Sequence, residues 1–292
     1  MAENLSTSEF FKALEGRGIV VTPEDRERIE RRFNERLNYV PKIGVFGKTG
    51  VGKSSLCNAV FGQDVCGVSD IDACTRNPQE VLISIGGNGL KLVDIPGVGE
   101  SLEREEEYEA LYRQLLPEMD IVLWVLKADD RAYSTDERHY KELVQPIIKK
   151  SLNKQLKTDS PFFVVLNQVD KVDPFREWDL ANAGPGPQQA KNIEQKRASV
   201  ANFFDIPLAT VIPVSADQGY GLVSLVDSLV FAVPAERKHI LLEATRKERQ
   251  SETARKAAKS GWWEGALEVA KKVLKAVIVP AAVTWFKRRF GF

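Results

Sequence analysis

Residues 47–54 read Gly-Lys-Thr-Gly-Val-Gly-Lys-Ser, and no other stretch restricts the fold so tightly. The octet fits G-x-x-x-x-G-K-[ST], a loop that must leave a strand and enter a helix to work. Its glycines let the backbone curl so that N–H groups point inward at phosphate oxygens. Lys53 is placed to reach the β- and γ-phosphates, and the Ser54 hydroxyl to hold Mg²⁺. Gly47, Lys48, Thr49, Gly50, Val51, Gly52, Lys53, Ser54 and Ser55 are therefore the expected phosphate-binding residues. The flanks agree. Residues 42–46 read as a short buried strand, and residues 55–61 as a helix ended by Gly62. A helix N-terminus adds favourable partial charge for an anion.

Further motifs follow in order. Asp94-Ile95-Pro96-Gly97 ends the strand-like run 90–93, 40 residues past Ser54. A carboxylate there supports Mg²⁺, usually through water. Gly97 offers the γ-phosphate a backbone N–H with no side chain in the way. Asn167-Gln168-Val169-Asp170 follows the strand-like run 162–166. An Asp carboxylate only accepts hydrogen bonds. Guanine offers it two donors on one edge, whereas adenine offers an acceptor. Such a site rejects the wrong base by leaving buried polar groups unpaired, which is worth about 10⁴-fold or more. Val214-Ser215-Ala216 follows the run 209–212, and its backbone is expected to meet the base carbonyl oxygen. Thr75, within Asp72-Ala73-Cys74-Thr75-Arg76, has two readings: a hydroxyl that completes the Mg²⁺ shell when the γ-phosphate is present, or a plain loop hydroxyl.

The ordered set G-K-T-G-V-G-K-S, T-R, D-I-P-G, N-Q-V-D and S-A resembles the Era-like GTPases of the TrmE/Era/septin class. Val68-Ser69-Asp70 running into Cys74-Thr75-Arg76 resembles the first switch of that group. Asp129-Asp130-Arg131 resembles the small Era-like proteins carried by bacterial prophages. The resemblance covers roughly residues 40–233. It implies a GTPase domain with GTP or GDP and Mg²⁺ as its ligands. Asn167, Gln168, Asp170, Ser215 and Ala216 fall at the base; Ser54, Thr75 and Asp94 around the metal; Lys53, Thr75 and Gly97 in catalysis. Two positions, Gln168 and Gly50, depart from patterns common in the family, and a third, Val98, departs from Ras-like proteins. Gln168 stands where the family usually has a Lys whose stem lies across the base. Val98 stands where Ras-like proteins place the Gln that orients the attacking water, a departure shared with Era-like proteins. Gly50 stands where potassium-activated members often carry Asn. The resemblance thus implies a molecular switch that hydrolyses GTP slowly without a partner or dimerisation. The alternative is a GTP-gated assembly or a membrane- or partner-binding module with negligible intrinsic hydrolysis.

Composition adds limits. At 292 residues and 43% hydrophobic, the chain can bury one α/β core plus something smaller. Its zero net charge gives no global argument for nucleic acid, and no K-homology G-x-x-G follows the domain. Three cysteines, Cys57, Cys66 and Cys74, are too few and too irregular for a disulfide framework or a zinc site, so reduced thiols are expected. The acidic N-terminus lacks the apolar core of a signal peptide, and the expected location is the cytoplasm.

The expected fold class is α/β: a P-loop GTPase domain with a mainly parallel six-stranded sheet, helices on both faces, and helical extensions at both ends. Strand-like runs fall near 42–46, 79–85, 90–94, 120–126, 161–166 and 209–214. Gly86-Gly87-Asn88-Gly89 reads as a hairpin turn, which makes 79–85 an antiparallel edge strand. Residues 1–40 form an N-terminal extension, with a short helix at 5–15 and a longer one capped by Thr22 that runs to about Tyr39. Residues 41–235 form the GTPase domain, in which 181–187 is a loop. Residues 236–292 form a basic extension with 14 Lys and Arg against 6 Glu, an asymmetry hidden by the neutral total. Here a helix over 236–259 is expected to break at Gly261-Trp262-Trp263. A second amphipathic stretch then puts Leu267, Ala270, Val273, Leu274, Val277 and Ile278 on one face and Lys271, Lys272 and Lys275 on the other. The apolar run 276–286 is too short to span a bilayer. The tail's expected surroundings are the protein's own helices, with peripheral membrane contact, a protein effector or RNA as alternatives. A nucleotide-dependent homodimer is a further partner class.

Overall fold

The computed structural model describes residues 6–37, 41–62, 79–85, 88–94, 110, 112–130, 133–146, 162–274, 284 and 288. Six strands form one sheet: β1 Lys42–Phe46, β2 Gln79–Ile85, β3 Asn88–Asp94, β4 Ile121–Lys127, β5 Phe162–Asn167 and β6 Val211–Pro213. Their order is β2-β3-β1-β4-β5-β6. All neighbours run parallel except β2 and β3, which pair antiparallel with Ile85 opposite Asn88. Only two residues separate those partners, the spacing of the hairpin read from the sequence. β4 and β5 are continuous runs of Val, Leu and aromatics, as strands covered on both faces must be. The last strand is shorter than expected. Pro207 opens a 3-10 turn over Leu208–Thr210, whose Thr210 N–H and hydroxyl both donate to the Pro207 carbonyl, and pairing begins at Val211.

Helices cover both faces. In chain order the helices are α1 Thr7–Glu15, α2 Pro23–Leu37, α3 Lys53–Phe61, α4 Ser134–His139, α5 Pro187–Phe204, α6 Leu222–Ala232, α7 Lys238–Glu243 and α8 Glu252–Leu274. Helices α3, α6 and α7 pack on the first face, through Leu56, Val60, Leu225, Leu229 and Leu241 against Ile43, Val45, Leu123 and Val165. Helix α5 and the segment around Tyr112, Tyr140 and Val144 pack on the second, through Ile193, Val200 and Phe204 against Trp124, Phe162 and Val164. The strands' alternation sends successive side chains to opposite faces and so feeds both layers.

A third core joins the two ends of the chain. Phe10, Phe11 and Leu14 of α1 and Ile29 and Phe33 of α2 pack against Trp262, Trp263, Leu267, Ala270, Val273 and Leu274 of α8. Thr22 caps α2 by accepting from the Asp25 N–H at 3.1 Å. Among the described residues, the tail's apolar face at Leu267, Ala270, Val273 and Leu274 is therefore buried on the protein's own N-terminal helices, and Lys271 and Lys272 point outward. Two expectations need correction. Residues 236–259 are not one helix: a 3-10 turn at Ala235–Arg237, α7, and a second 3-10 turn at Lys247–Arg249 precede α8. Nor does Gly261-Trp262-Trp263 break a helix, since α8 runs through it unbroken. The glycine serves contact instead. A Cβ on Gly261 would sit 2.1 Å from the Ala235 carbonyl oxygen, so the missing side chain lets the helix lie against that backbone. Gly261→Ala is expected to lower stability by about 1–3 kcal/mol, the usual cost of forced overpacking. A denaturant melt reads this directly, and an unchanged midpoint would show that the contact tolerates the methyl.

The terminal unit is tied to the domain by polar links as well. Asp120 accepts from the Lys42 N–H at 2.9 Å and pairs with Arg237 at 2.7 Å. The Arg246 N–H donates to Val60 O at the end of α3, and Ser251 donates to Asp227 of α6 at 2.6 Å. Residues 275–283, 285–287 and 289–292, including Lys275, Val277 and Ile278, lie outside the described residues. Among the described residues no helix is long and apolar enough to cross a membrane.

Candidate functional site

The glycine loop leaves β1 at Phe46 and enters α3 at Lys53. Gly47 and Gly52 hold φ of 139° and 87°, values that L side chains rarely adopt. Space forbids substitution too: a Cβ on Gly47 would lie 2.3 Å from Val125 O, and one on Gly52 2.6 Å from the Asn167 amide nitrogen. The loop is thus moulded onto β4 and β5. Lys53 folds back across it, with Nζ donating to Gly47 O at 3.0 Å and Lys48 O at 3.2 Å. A cation held across the loop by two of its carbonyls suits an arriving anion. Ser54 is half-buried at the start of α3 and Ser55 is exposed. Lys48 behaves differently from its neighbours, since its ammonium turns to Asp136 of α4 at 2.6 Å.

Asn167, at the end of β5, is 1% exposed and fully engaged. Its Nδ2 donates to Val51 O at 2.9 Å, and its Oδ1 accepts from the Ala216 N–H at 3.1 Å. It fastens the phosphate loop to the segment after β6. The Ala216 amide, expected to face a base carbonyl oxygen, is turned to Asn167 here. Gln168, at φ 62°, donates to Gly50 O at 3.3 Å and accepts from Lys171 Nζ at 2.9 Å. The shorter Gln side chain therefore still bridges to the phosphate loop, and the cation of this region comes from Lys171. Ser215 is buried, its hydroxyl accepting from the Gln218 N–H.

Asp170 carries the most informative atom. Its Oδ1 is buried and has no hydrogen-bond partner among the described residues. A buried carboxylate oxygen left without donors is costly unless a ligand supplies them. The loop that holds it is fixed from behind by Gln189 of α5, a fully buried amide that donates to Asp170 O at 3.1 Å and Val172 O at 2.8 Å. Glu177 in turn accepts from the Gln188 and Gln189 N–H groups and so caps α5. The loop expected at 181–187 is closed at its base by Asp179 and Gly184, and its last residue, Pro187, already belongs to α5. Neither Gln189 nor Glu177 announced itself in the sequence, because a lone Gln or Glu in a polar helix start has no signature.

The metal residues are only partly in view. Asp94 ends β3 opposite Val45, which sets its backbone beside the entrance to the glycine loop. Thr75, Gly97 and Val98 lie outside the described residues. Ser54 and Asp94 would give an all-oxygen donor set, the chemistry that Mg²⁺ takes together with phosphate and water. Among the described residues no cluster of three or more His, Cys, Asp or Glu could hold a metal without such help.

Comparison with known proteins decides the family. The family described as 50S ribosome-binding GTPase matches residues 42–168. YfjP of Escherichia coli K12, described as uncharacterized, is 34% identical over 257 residues, 88% of this chain and 84% of that protein. The chain belongs to the Era-like P-loop GTPases. This Era-like GTPase is also 32% identical over 150 residues to the tRNA modification GTPase MnmE of Bacteroides thetaiotaomicron, which is 51% of this chain and 30% of MnmE. Among solved structures, Aquifex aeolicus Era bound to GDP·AlF4⁻ aligns with a TM-score of 0.50 at 23% identity, over 67% of this chain and 57% of that one. At that identity the likeness concerns the fold. The TrmE/Era class suggested by the ordered motifs is thereby the family of the chain.

Proposed function

We propose that this Era-like GTPase binds GTP with Mg²⁺, hydrolyses it to GDP and phosphate, and acts as a switch read by a partner. The observation that carries the reading is the buried Asp170 Oδ1, without a donor among the described residues, held in one frame with the glycine loop. Lys53 bridges two carbonyls of the glycine loop at one end, and Asp170 Oδ1 lies at the other. A triphosphate answers the first and the N–H edge of guanine the second. Asn167 and Gln168 hold the two ends in one rigid frame. Ser54 and Asp94 would hold Mg²⁺, which when bound neutralises charge on the β- and γ-phosphates. In the proposed reaction a water oxygen attacks the γ-phosphorus and the bond to the bridging oxygen breaks. Lys53 and the Gly97 amide meet the charge on the phosphoryl oxygens. Thr75 is proposed to join the metal shell in the GTP state.

The residue ranges 41–235 for the GTPase domain, with 1–40 and 236–292 as its extensions, are part of the proposal, as is a cytoplasmic location. A GTP-gated assembly with negligible hydrolysis is the second reading. Val98 favours it, because a Val cannot orient water.

The test is Lys53→Ala in a phosphate-release assay at saturating GTP. Hydrolysis is expected to fall at least about 100-fold, as when a single transition-state donor is lost. The fold should persist, since Lys53 is only half-buried and faces the loop. Undiminished hydrolysis by a folded variant would remove Lys53 from the mechanism. GTP binding without release by the unaltered protein would leave the assembly reading.

A further inference from the structure

Lys48 and Asp136 form an ion pair that the nucleotide chemistry above does not use. Lys48 is the second residue of the glycine loop, and Asp136 lies on α4, beyond β4. Their N–O distance is 2.6 Å, with the Lys48 side chain 25% exposed and Asp136 1% exposed. A carboxylate that deep in the protein is costly unless a cation stays beside it. Trp124 of β4 directs its indole nitrogen toward Asp136 without reaching hydrogen-bond geometry, and His139 lies one helical turn on. Burial pushes the Asp136 carboxyl above its usual range, and Lys48 works against that rise more than Trp124 or His139 does. On the other side Gly47 is packed against Val125 O, so the first two residues of the loop are held by β4 and by α4 respectively. The second half of the loop is held separately, by Asn167 on Val51 and Gly52 and by Gln168 on Gly50.

We infer that Asp136 is a positioning residue for the nucleotide site, acting through Lys48 to hold the first half of the phosphate loop ready for phosphate. The inference rests on the site reading above. Lys48 in this account is turned away from the phosphates, and its ammonium serves the loop's shape. Preformed loops bind more tightly because they lose less freedom on binding. Without the pair the loop's amides must be ordered when the nucleotide arrives.

A double-mutant cycle tests this, with Asp136→Asn, Lys48→Met and both together in the full chain. Affinity for a fluorescent GDP analogue is measured well below each variant's melting temperature and referred to the folded fraction. Each single variant is expected to bind at least about tenfold more weakly, the scale on which misplacing a binding group acts. The double variant should lose no more than the worse single one, because both changes break the same link. Three results overturn the inference. If Lys48→Met weakens binding as much in the Asp136→Asn background as alone, Lys48 acts on phosphate directly. If the variants melt lower but bind unchanged, the pair serves stability only. If the unaltered protein binds no guanine nucleotide, the site reading falls and takes this one with it.

Discussion

Replacing Asp170 by Asn should turn the protein from guanine toward xanthine nucleotides. The buried Oδ1 has no donor among the described residues, and guanine would bring two on one edge. An amide at the same place presents a donor, which the second carbonyl of xanthine can accept and the guanine amine cannot. Readouts of this kind reach about 10⁴-fold, because the wrong base leaves polar groups buried and unpaired on both sides. GTP affinity of Asp170→Asn is therefore expected to fall by about that factor, with XTP gaining over GTP in direct competition. The backbone frame should survive, since Gln189 holds the Asp170 carbonyl and not its side chain. Competition between GTP, XTP and ATP on both proteins provides the check. Equal ATP and GTP binding by the unaltered chain would mean that the frame of Asn167 and Gln168 does not select guanine.

Deleting residues 261–292 should unfold the N-terminal helices while leaving the sheet intact. The deletion removes Trp262, Trp263, Leu267, Val273 and Leu274, against which Phe10, Phe11, Leu14, Ile29 and Phe33 are buried. Each large apolar side chain returned to water costs about 1.5–3 kcal/mol, so several such losses exceed what two short helices can bear alone. Circular dichroism should show less helix, and an apolar dye should bind the truncated protein. Nucleotide affinity should change little, because the site is built on the other two cores. A truncated protein that melts unchanged, binds no dye and loses vesicle co-sedimentation would instead assign the tail to a membrane surface.

These two experiments probe parts of the molecule that were legible to different degrees. The strand, glycine loop and helix at 42–61 follow one another in sequence, so their order and chemistry were readable from local spacing. So was the hairpin at β2 and β3, since a two-residue turn restricts its flanks. The tail was misread for a physical reason. Gly261 has the composition of a helix break, yet it sits in an unbroken helix because the Ala235 backbone occupies the space where a side chain would be. Local propensity is a weak prior, and a packing contact from 26 positions away overrode it.

By itself, the sequence determined which chemistry the chain can carry: a phosphate loop, a carboxylate after a strand and a base-reading Asp, each with its own strand before it. These depend on residue type and short spacing. Tertiary structure alone decided how they are held. Asn167 reaches a loop 116 residues earlier and ties it to the segment after β6. Gln189 braces Asp170, Asp136 engages Lys48, and α8 covers helices from the opposite end of the chain. Such contacts join residues whose spacing along the chain carries no periodicity. They exist because the parallel sheet brings the carboxyl ends of β1, β4 and β5 side by side and folds both termini onto one another.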